Sequence, residues 1–576
     1  MKDRKRVVNY HSRLAFFKHY AIGERQQWIF AIFLLALTVI LWRAVHLQFV
    51  QQDFLRYQGD ARHLRTATLT AHRGMLQDRH GEPLAISTPV SSVWLNPRQF
   101  IQARARWGEL AELLGMSAQQ LEALLKGRLQ RQFIYLKRHI APSIAEEIKT
   151  LKLSGVYLQR EYRRYYPMGE VFAHALGFTD IDDKGIEGLE LALNAYLTGV
   201  AGEKQVIQDK YGRIIADVRS VKMPQAGQDI SLSFDQRLQY VAYRELKKAV
   251  LQHKAKAGAA VILDVQTGEV LAMVNQPAYN PNNRQQRDGG YYRNRVITDV
   301  FEPGSTLKPF TIAAALESGQ YTANTLIDTN PGKLKLGQYT IHDSRNYGII
   351  NTKTIIQKSS NVGISKIALS LPKQQLSQFL QHSGLGEVTG SAFPGEVSGY
   401  IPDPATWQPT EQATLGFGYG MNVTLLQLTR AYAMFANEGV LPPIRFTPFD
   451  PSEEVNVKLP TPVMSHHTAQ QLVEMLEAAV NTGGTGEKAQ IAGFRVAGKT
   501  GTVRKTKQGK YTQDKYLALF AGFVPASRPR LAMAIMIDEP QGKRYYGGDV
   551  AAPVFSRVMS ESLRLMNISP DKLTHQ

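Results

Sequence analysis

Three short stretches of this 576-residue chain hold side chains that could do chemistry together: Ser305-Thr306-Leu307-Lys308, Ser359-Ser360-Asn361 and Lys499-Thr500-Gly501. A serine hydroxyl is a poor nucleophile until a base takes its proton. Lys308 is three residues after Ser305, so on a helix it returns to the same face. Burial and a helix N-terminus would both lower its pKa and make its neutral amine that base. Pro309 fits only the first turn of a helix, where a residue without N–H loses no hydrogen bond. Ser305 is therefore predicted at a helix N-terminus, where backbone N–H groups meet developing negative charge. Ser359 could relay a proton near Lys308, and Asn361 could orient Lys308 and hold a substrate amide. Lys499 with the hydroxyls of Thr500 and Thr502 could bind a terminal carboxylate. Gly501 would let a ligand backbone approach the strand, and the Thr502 backbone could supply one oxyanion donor. The chemistry is acyl transfer through a serine ester.

Each fragment alone has a plainer reading. Ser-x-x-Lys occurs by chance about once or twice in a chain this long. A serine and an asparagine at a helix mouth are ordinary caps, and Lys-Thr-Gly is most often a strand end. The combination, and the longer run Phe301-Glu302-Pro303-Gly304-Ser305-Thr306-Leu307-Lys308-Pro309, carries the weight.

These residues need a scaffold. The apolar stretches Ala259–Asp264 and Glu269–Val274, joined by Val265-Gln266-Thr267-Gly268, predict a strand hairpin. Further strands are predicted at Phe494–Lys499 (continuing through Thr502), Leu517–Val524 and Leu531–Ile537. Helical periodicity marks Thr311–Ser318, Val362–Ser370, Gln374–Ser383, Thr424–Phe435 and Thr468–Val480. Strands, then helices, then strands predict an α/β fold with a mixed sheet faced by helices. Upstream, 106–127 reads as one helix, Ala141–Lys152 as another, and 160–227 as irregular or β-rich. Ile230–Phe234 reads as a strand, with Asp235 capping the helix after it.

Length predicts two to four domains. Hydrophobic content of 43% and charged content of 20% are those of a folded protein. The chain has no cysteine, which excludes disulfides, thiol chemistry and cysteine-ligated metal. The net charge of +19 comes with no nucleic-acid-binding module; an anionic membrane or wall polymer explains the sign equally well. Basic residues Lys2, Arg4, Lys5, Arg6, Arg13, Lys18 and Arg25 precede an apolar run from Trp28 to Trp42 that extends to Val50. This predicts an uncleaved signal anchor with its N-terminus in the cytoplasm and the rest outside the membrane.

Across essentially its whole length the chain resembles class B penicillin-binding proteins, especially the division-specific transpeptidases of Gram-negative rods. Beyond the three motifs the resemblance rests on Arg73-Gly74, Asp78-Arg79 and Gly81, on Arg163-Arg164-Tyr165-Tyr166-Pro167 and on Gly185-Ile186-Glu187-Gly188. It continues through Tyr211-Gly212-Arg213, Pro277 to Asn282, Arg293-Asn294-Arg295 and Asp299. It implies a penicillin-binding transpeptidase or serine β-lactamase-like fold with a central antiparallel sheet, a β-rich pedestal and one transmembrane helix. The implied boundaries are a basic tail at 1–25, a membrane helix at 26–50, a pedestal at 51–230, a transpeptidase domain at 231–570 and a short tail at 571–576. It also implies that Ser305 attacks between the last two D-alanines of a peptidoglycan stem peptide. The Ser305 and Thr502 backbone N–H groups form the oxyanion hole, an amine of a neighbouring stem accepts the acyl group, and β-lactams acylate Ser305. Tyr419, Tyr545, Tyr546, Gly547 and Gly548 are rim candidates. No metal or organic cofactor is implied. Implied partners are stem peptides on lipid-linked glycan strands, β-lactams, the glycosyltransferase FtsW and other division membrane proteins at the septum, and no nucleic acid.

The middle motif is Ser-Ser-Asn where many β-lactamases have Ser-Asp-Asn. Glu396 and Glu411 lack the context of a deacylating glutamate, which disfavours rapid hydrolysis. A carboxypeptidase or β-lactam-hydrolysing relative, and a division scaffold without essential chemistry, are the competing readings.

Overall fold

The structure, a computed structural model, describes residues 24–208, 214–283, 289–449, 460–507 and 510–572. The basic tail before Glu24 and the Tyr211-Gly212-Arg213 motif lie outside the described residues. The chain forms two compact units.

One unit comprises residues up to Leu69 and Ala201–Pro224. Its helix α1 (Glu24–Val45) continues as a π-helical turn, His46–Val50, followed by a helix at Gln52–His63. Among the described residues Gln26–Val50 is the one helical stretch long and apolar enough to cross a membrane. At about 1.5 Å per residue its 25 residues exceed a hydrocarbon core of about 30 Å. The expected apolar run thus extends through Arg43 to Val50, with Trp28 and Phe33 71% and 75% exposed. Strands Leu64–Leu69, Gly202–Gln208 and Ile214–Lys222 form an antiparallel sheet in the same unit.

The other unit is Thr70–Val200 with Gln225–Gln576. It begins with a sheet centred on β1 (Pro83–Leu95), which pairs antiparallel with β2 (Ile134–Ile140) and β3 (Val156–Tyr165). Val93 and Leu95 face a core with Phe100, Trp107, Leu110 and Leu121. The single helix expected over 106–127 is two, Trp107–Leu113 and Ala118–Leu125. Gly115 at φ +64° breaks it, and Ser117 starts the second with a capping box to Gln120. The expected strand Ile230–Phe234 is only Ile230–Ser231.

This sheet and the residues after it share one unit because polar groups tie them. Asp78 accepts the Gln236 N–H at the start of α2 (Gln236–Gln252). Arg163 donates to the Asn282 carbonyl, and the Asn282 amide bridges the Tyr166 backbone. Deepest is a triad: Arg73 forks onto Glu190 at 2.7 and 2.9 Å, and Arg164 reaches the other Glu190 oxygen at 2.6 Å. All three side chains are at most 3% exposed.

The second sheet holds β4 (Ala257–Asp264), β5 (Val270–Gln276), β6 (Ala497–Lys507), β7 (Lys510–Val524) and β8 (Leu531–Asp538), in the order β5-β4-β8-β7-β6; every pair is antiparallel, not mixed as the strand pattern suggested, because helices lie between strands without connecting parallel neighbours. Ala259, Val261 and Leu263 of β4 face one core, Ala260 and Ile262 the other. A strand covered on both faces reads as a continuous apolar run. One face packs on α2 and the terminal α8; the other packs on α6 and α7, behind which α3, α4 and α5 complete the same core. These are α3 (Lys308–Glu317), α4 (Thr352–Lys358), α5 (Asn361–Ser370), α6 (Leu425–Ala436), α7 (His466–Val480) and α8 (Ala552–Leu565). β6 begins three residues later than expected. Arg495 is held outside the ladder, its N–H by Asp571 and its carbonyl by Ala526. It then runs on through polar residues because β7 pairs with them as far as Lys507.

Removing one member of a buried ion cluster leaves the others charged and unpaired, which costs about 3–5 kcal/mol. Glu190→Ala leaves two guanidiniums in that state. It is expected to lower unfolding stability by that amount in denaturant titration; a loss below about 1 kcal/mol would show that the triad is not holding the unit together.

Candidate active site

Gly304 has φ +54° and its N–H donates to the Gly418 carbonyl at 3.0 Å. A side chain on Gly304 would strike Val503, and one on Gly418 would strike the Gly304 backbone. Glycine at both lets the loop before Ser305 pass between β6 and the Gly418 turn. Gly304–Leu307 winds as a 3₁₀ turn and continues into α3. Pro309, four residues after Ser305, has no N–H to return to the Ser305 carbonyl, so the tighter winding persists until Lys308. Ser305 thus lies in the first turn of a helical run, as its neighbours predicted.

Ser359 joins α4 to α5 in a left-handed conformation, φ +58° and ψ +41°. The helix cap is Ser360, whose hydroxyl accepts the Gly363 N–H, and Asn361 is the first helical residue. This turn delivers three acceptors to one amine. Lys308 Nζ lies 2.6 Å from the Ser359 carbonyl, 3.0 Å from Ser359 Oγ and 2.8 Å from Asn361 Oδ1. Lys499 Nζ lies 3.1 Å from the same Ser359 Oγ, with Thr485 Oγ1 at 3.4 Å and the Thr500 carbonyl at 3.3 Å. Both lysines are 0% exposed. Desolvation, then the charge of Lys499, holds Lys308 well below an ordinary ammonium, against a smaller opposing pull from Asp343. Desolvation brings Lys499 down to about 7.

Two further groups position the site, and of these Asp343 was not legible in the sequence. The Asp343 carboxylate accepts the Asn361 and Val362 N–H groups and the Ser360 hydroxyl. It follows a hairpin, Lys333–Leu336 with Tyr339–His342, whose pattern is too short to read. Thr485, in a Gly-rich loop, bonds the Thr500 hydroxyl at 2.8 Å.

Ser305, Ser359, Asn361, Thr500 and Thr502 line one open cleft of about 730 Å³ beside the edge strand β6. The space opened by Gly501 faces elsewhere: an added side chain would meet Thr306, Leu519 and the Pro303 carbonyl. It admits the serine turn against the sheet rather than a ligand. Of the rim candidates, Tyr546 and Gly548 line the cleft. Tyr545 stacks between Tyr546 and Tyr516. Gly547 is buried and donates its N–H to Thr502 Oγ1 at 2.9 Å. Tyr419 meets Tyr511 edge-on at 5.8 Å. Glu396 is engaged with Thr389 and Ser391, and Glu411 with the Gln408 N–H. The cleft therefore combines a buried amine of low proton affinity, a hydroxyl shared by two lysines, and a helix N-terminus facing a strand edge.

Residues 258–560 match the penicillin binding protein transpeptidase domain, and residues 68–232 match the penicillin-binding protein dimerisation domain. The chain is 44% identical over 560 residues to the peptidoglycan D,D-transpeptidase FtsI of Escherichia coli K12, covering 95% of this chain and 93% of that one. It is similar to the solved transpeptidase domain of Burkholderia pseudomallei penicillin-binding protein 3, with TM-score 0.54 and 40% identity over 59% of this chain and 98% of that one. A peptidoglycan synthetase structure from Bifidobacterium adolescentis matches with TM-score 0.70 and 25% identity over 89% of this chain and 98% of that one.

Between pH about 7 and 10.5 Lys499 is protonated in the unfolded chain and largely neutral in the folded one. The folded state binds fewer protons there, so this residue's cost to stability shrinks as pH rises. Lys499→Met is expected to raise stability at pH 7 by about 2 kcal/mol after lost hydrogen bonds are counted, with the gain vanishing by pH 10.5. A gain that does not change with pH in paired melts, or a loss at pH 7, would refute the burial account.

Proposed function

Because the chain belongs to the FtsI-type D,D-transpeptidases of the class B penicillin-binding proteins, we propose that Ser305 is the nucleophile with which it crosslinks peptidoglycan. The activity is that of a serine-type D,D-transpeptidase working through an acyl-enzyme. The observation that carries the residue assignment is the fully buried Lys308 amine, three residues from Ser305 and held by Ser359 and Asn361.

A neutral Lys308 keeps one lone pair and takes the Ser305 hydroxyl proton as Oγ attacks the carbonyl between the two terminal D-alanines. The oxyanion receives the backbone N–H groups of Ser305 and Thr502. The C–N bond then breaks, the proton passes from Lys308 to the leaving amine with Ser359 as relay, and D-alanine departs. In the second half the amine of a neighbouring stem peptide attacks the ester, gives a proton to Lys308, and Ser305 leaves with that proton. Lys499 and Thr500 hold the terminal carboxylate, which restores the proton affinity that burial removed from Lys499. A β-lactam follows the first half only, and its ring-opened ester stays on Ser305. Engagement of Glu396 and Glu411 elsewhere favours slow hydrolysis over β-lactamase or carboxypeptidase turnover.

We place the enzyme in the inner membrane at the septum, N-terminus in the cytoplasm and catalytic cleft in the periplasm. The apolar helix and the basic residues before it support this orientation. Because residues 68–232 match the dimerisation domain, we infer that it acts on strands made by a membrane glycosyltransferase of the FtsW type, among other division proteins.

Incubating the full-length chain in detergent with penicillin is expected to leave a mass adduct on Ser305 that persists for hours. Ser305→Ala should carry none, and full septation by Ser305→Ala at normal protein levels would instead support a scaffold. Turnover of the adduct within seconds would favour the hydrolytic reading.

A further inference from the structure

All 12 residues of α6 are buried. A phenol in such a helix carries a desolvation cost that phenylalanine would avoid, unless its hydroxyl finds a partner. The ring of Tyr432 is packed as a phenylalanine ring would be, edge-on against Phe310 at 5.8 Å and Phe435 at 5.6 Å. Its hydroxyl makes a hydrogen bond of 2.7 Å to the Thr306 carbonyl. That carbonyl lies between Ser305 and Lys308, so whatever fixes its plane fixes the nucleophile relative to the amine. A carbonyl oxygen has two lone pairs, so the helix's own donor and Tyr432 can bond it together. Three other bonds act on the same turn: the Thr306 N–H and Oγ1 donate to the Pro303 carbonyl at 3.4 and 2.7 Å, and the Gly304 N–H to the Gly418 carbonyl at 3.0 Å. Tyr432 is the only one of these that reaches the turn from the core side, with a side chain 126 residues away in sequence.

We propose that Tyr432 is a positioning residue for acylation, its hydroxyl holding the Thr306 peptide so that Ser305 and Lys308 keep the geometry of attack. The proposal rests on Ser305 as the acylated serine. A misplacement of reacting groups by about 1 Å costs on the order of a hundredfold in rate, and loss of one of the four bonds on this turn should cost less.

The test is rapid kinetics of the full-length chain in detergent with a fluorescent penicillin, which separates non-covalent affinity from the acylation rate constant. Tyr432→Phe is expected to lower the acylation rate constant about tenfold, with affinity within about twofold and the midpoint of the pH–rate profile unmoved. Phe435→Leu disturbs the same packing but leaves the hydroxyl in place, and its acylation rate constant should stay within about twofold of the parent even though its melting temperature falls. Parental acylation by Tyr432→Phe, an equal loss in Phe435→Leu, or a shifted midpoint would each overturn the positioning role. An absent Ser305 adduct in the unmodified protein would instead overturn the assignment of the nucleophile.

Discussion

Two lysines buried against one serine hydroxyl set the terms for this structure. Each is completely shielded from water, and both reach Ser359 Oγ within 3.1 Å. Two ammonium groups cannot both keep their protons in so little solvent, because desolvation and mutual repulsion act in the same direction. The result is a neutral or easily neutralised amine at ordinary pH. The surrounding groups are neutral acceptors: a carbonyl, hydroxyls and an amide. They satisfy N–H donors without restoring the charge that a carboxylate in direct contact would restore. Asp343 is close enough to pull Lys308 slightly back, yet it spends its oxygens on Ser360, Asn361 and Val362. The left-handed Ser359 follows from the same need, since it lets two acceptors of one residue, carbonyl and hydroxyl, meet the same amine.

Most of the scaffold was legible because burial leaves strong patterns. Strands covered on both faces read as unbroken apolar runs, and the long helices kept their periodicity. The errors came where polar bonding overrides pattern. Gly115 splits a helix whose leucine spacing suggested continuity. Arg495 is drawn out of the ladder by Asp571, which delays β6. The serine that caps α5 is Ser360, one residue beyond the more chemically prominent Ser359.

The three motifs were legible as a set because local spacing places each on its own element. Their supports were not. Asp343 and Tyr432 act across 17 and 126 residues, and nothing in their immediate neighbours marks them. Gly501 shows the opposite limit: its identity was noticed, but the direction in which it makes room depends on which face of β6 meets the serine turn. A one-residue change of register would reverse that direction.

The cleft lies against the outer edge of the sheet, and this has a consequence for how the protein behaves in company. An edge strand offers unpaired backbone groups to any extended chain, a substrate peptide or another copy of the protein alike. Under the proposed function β6 has to admit the former and refuse the latter. Past the site its exposed positions are Arg504 and Thr506, and a charged, polar edge resists annealing between like strands. Under the proposed function, that exposed charge bears on colloidal solubility as well as on recognition.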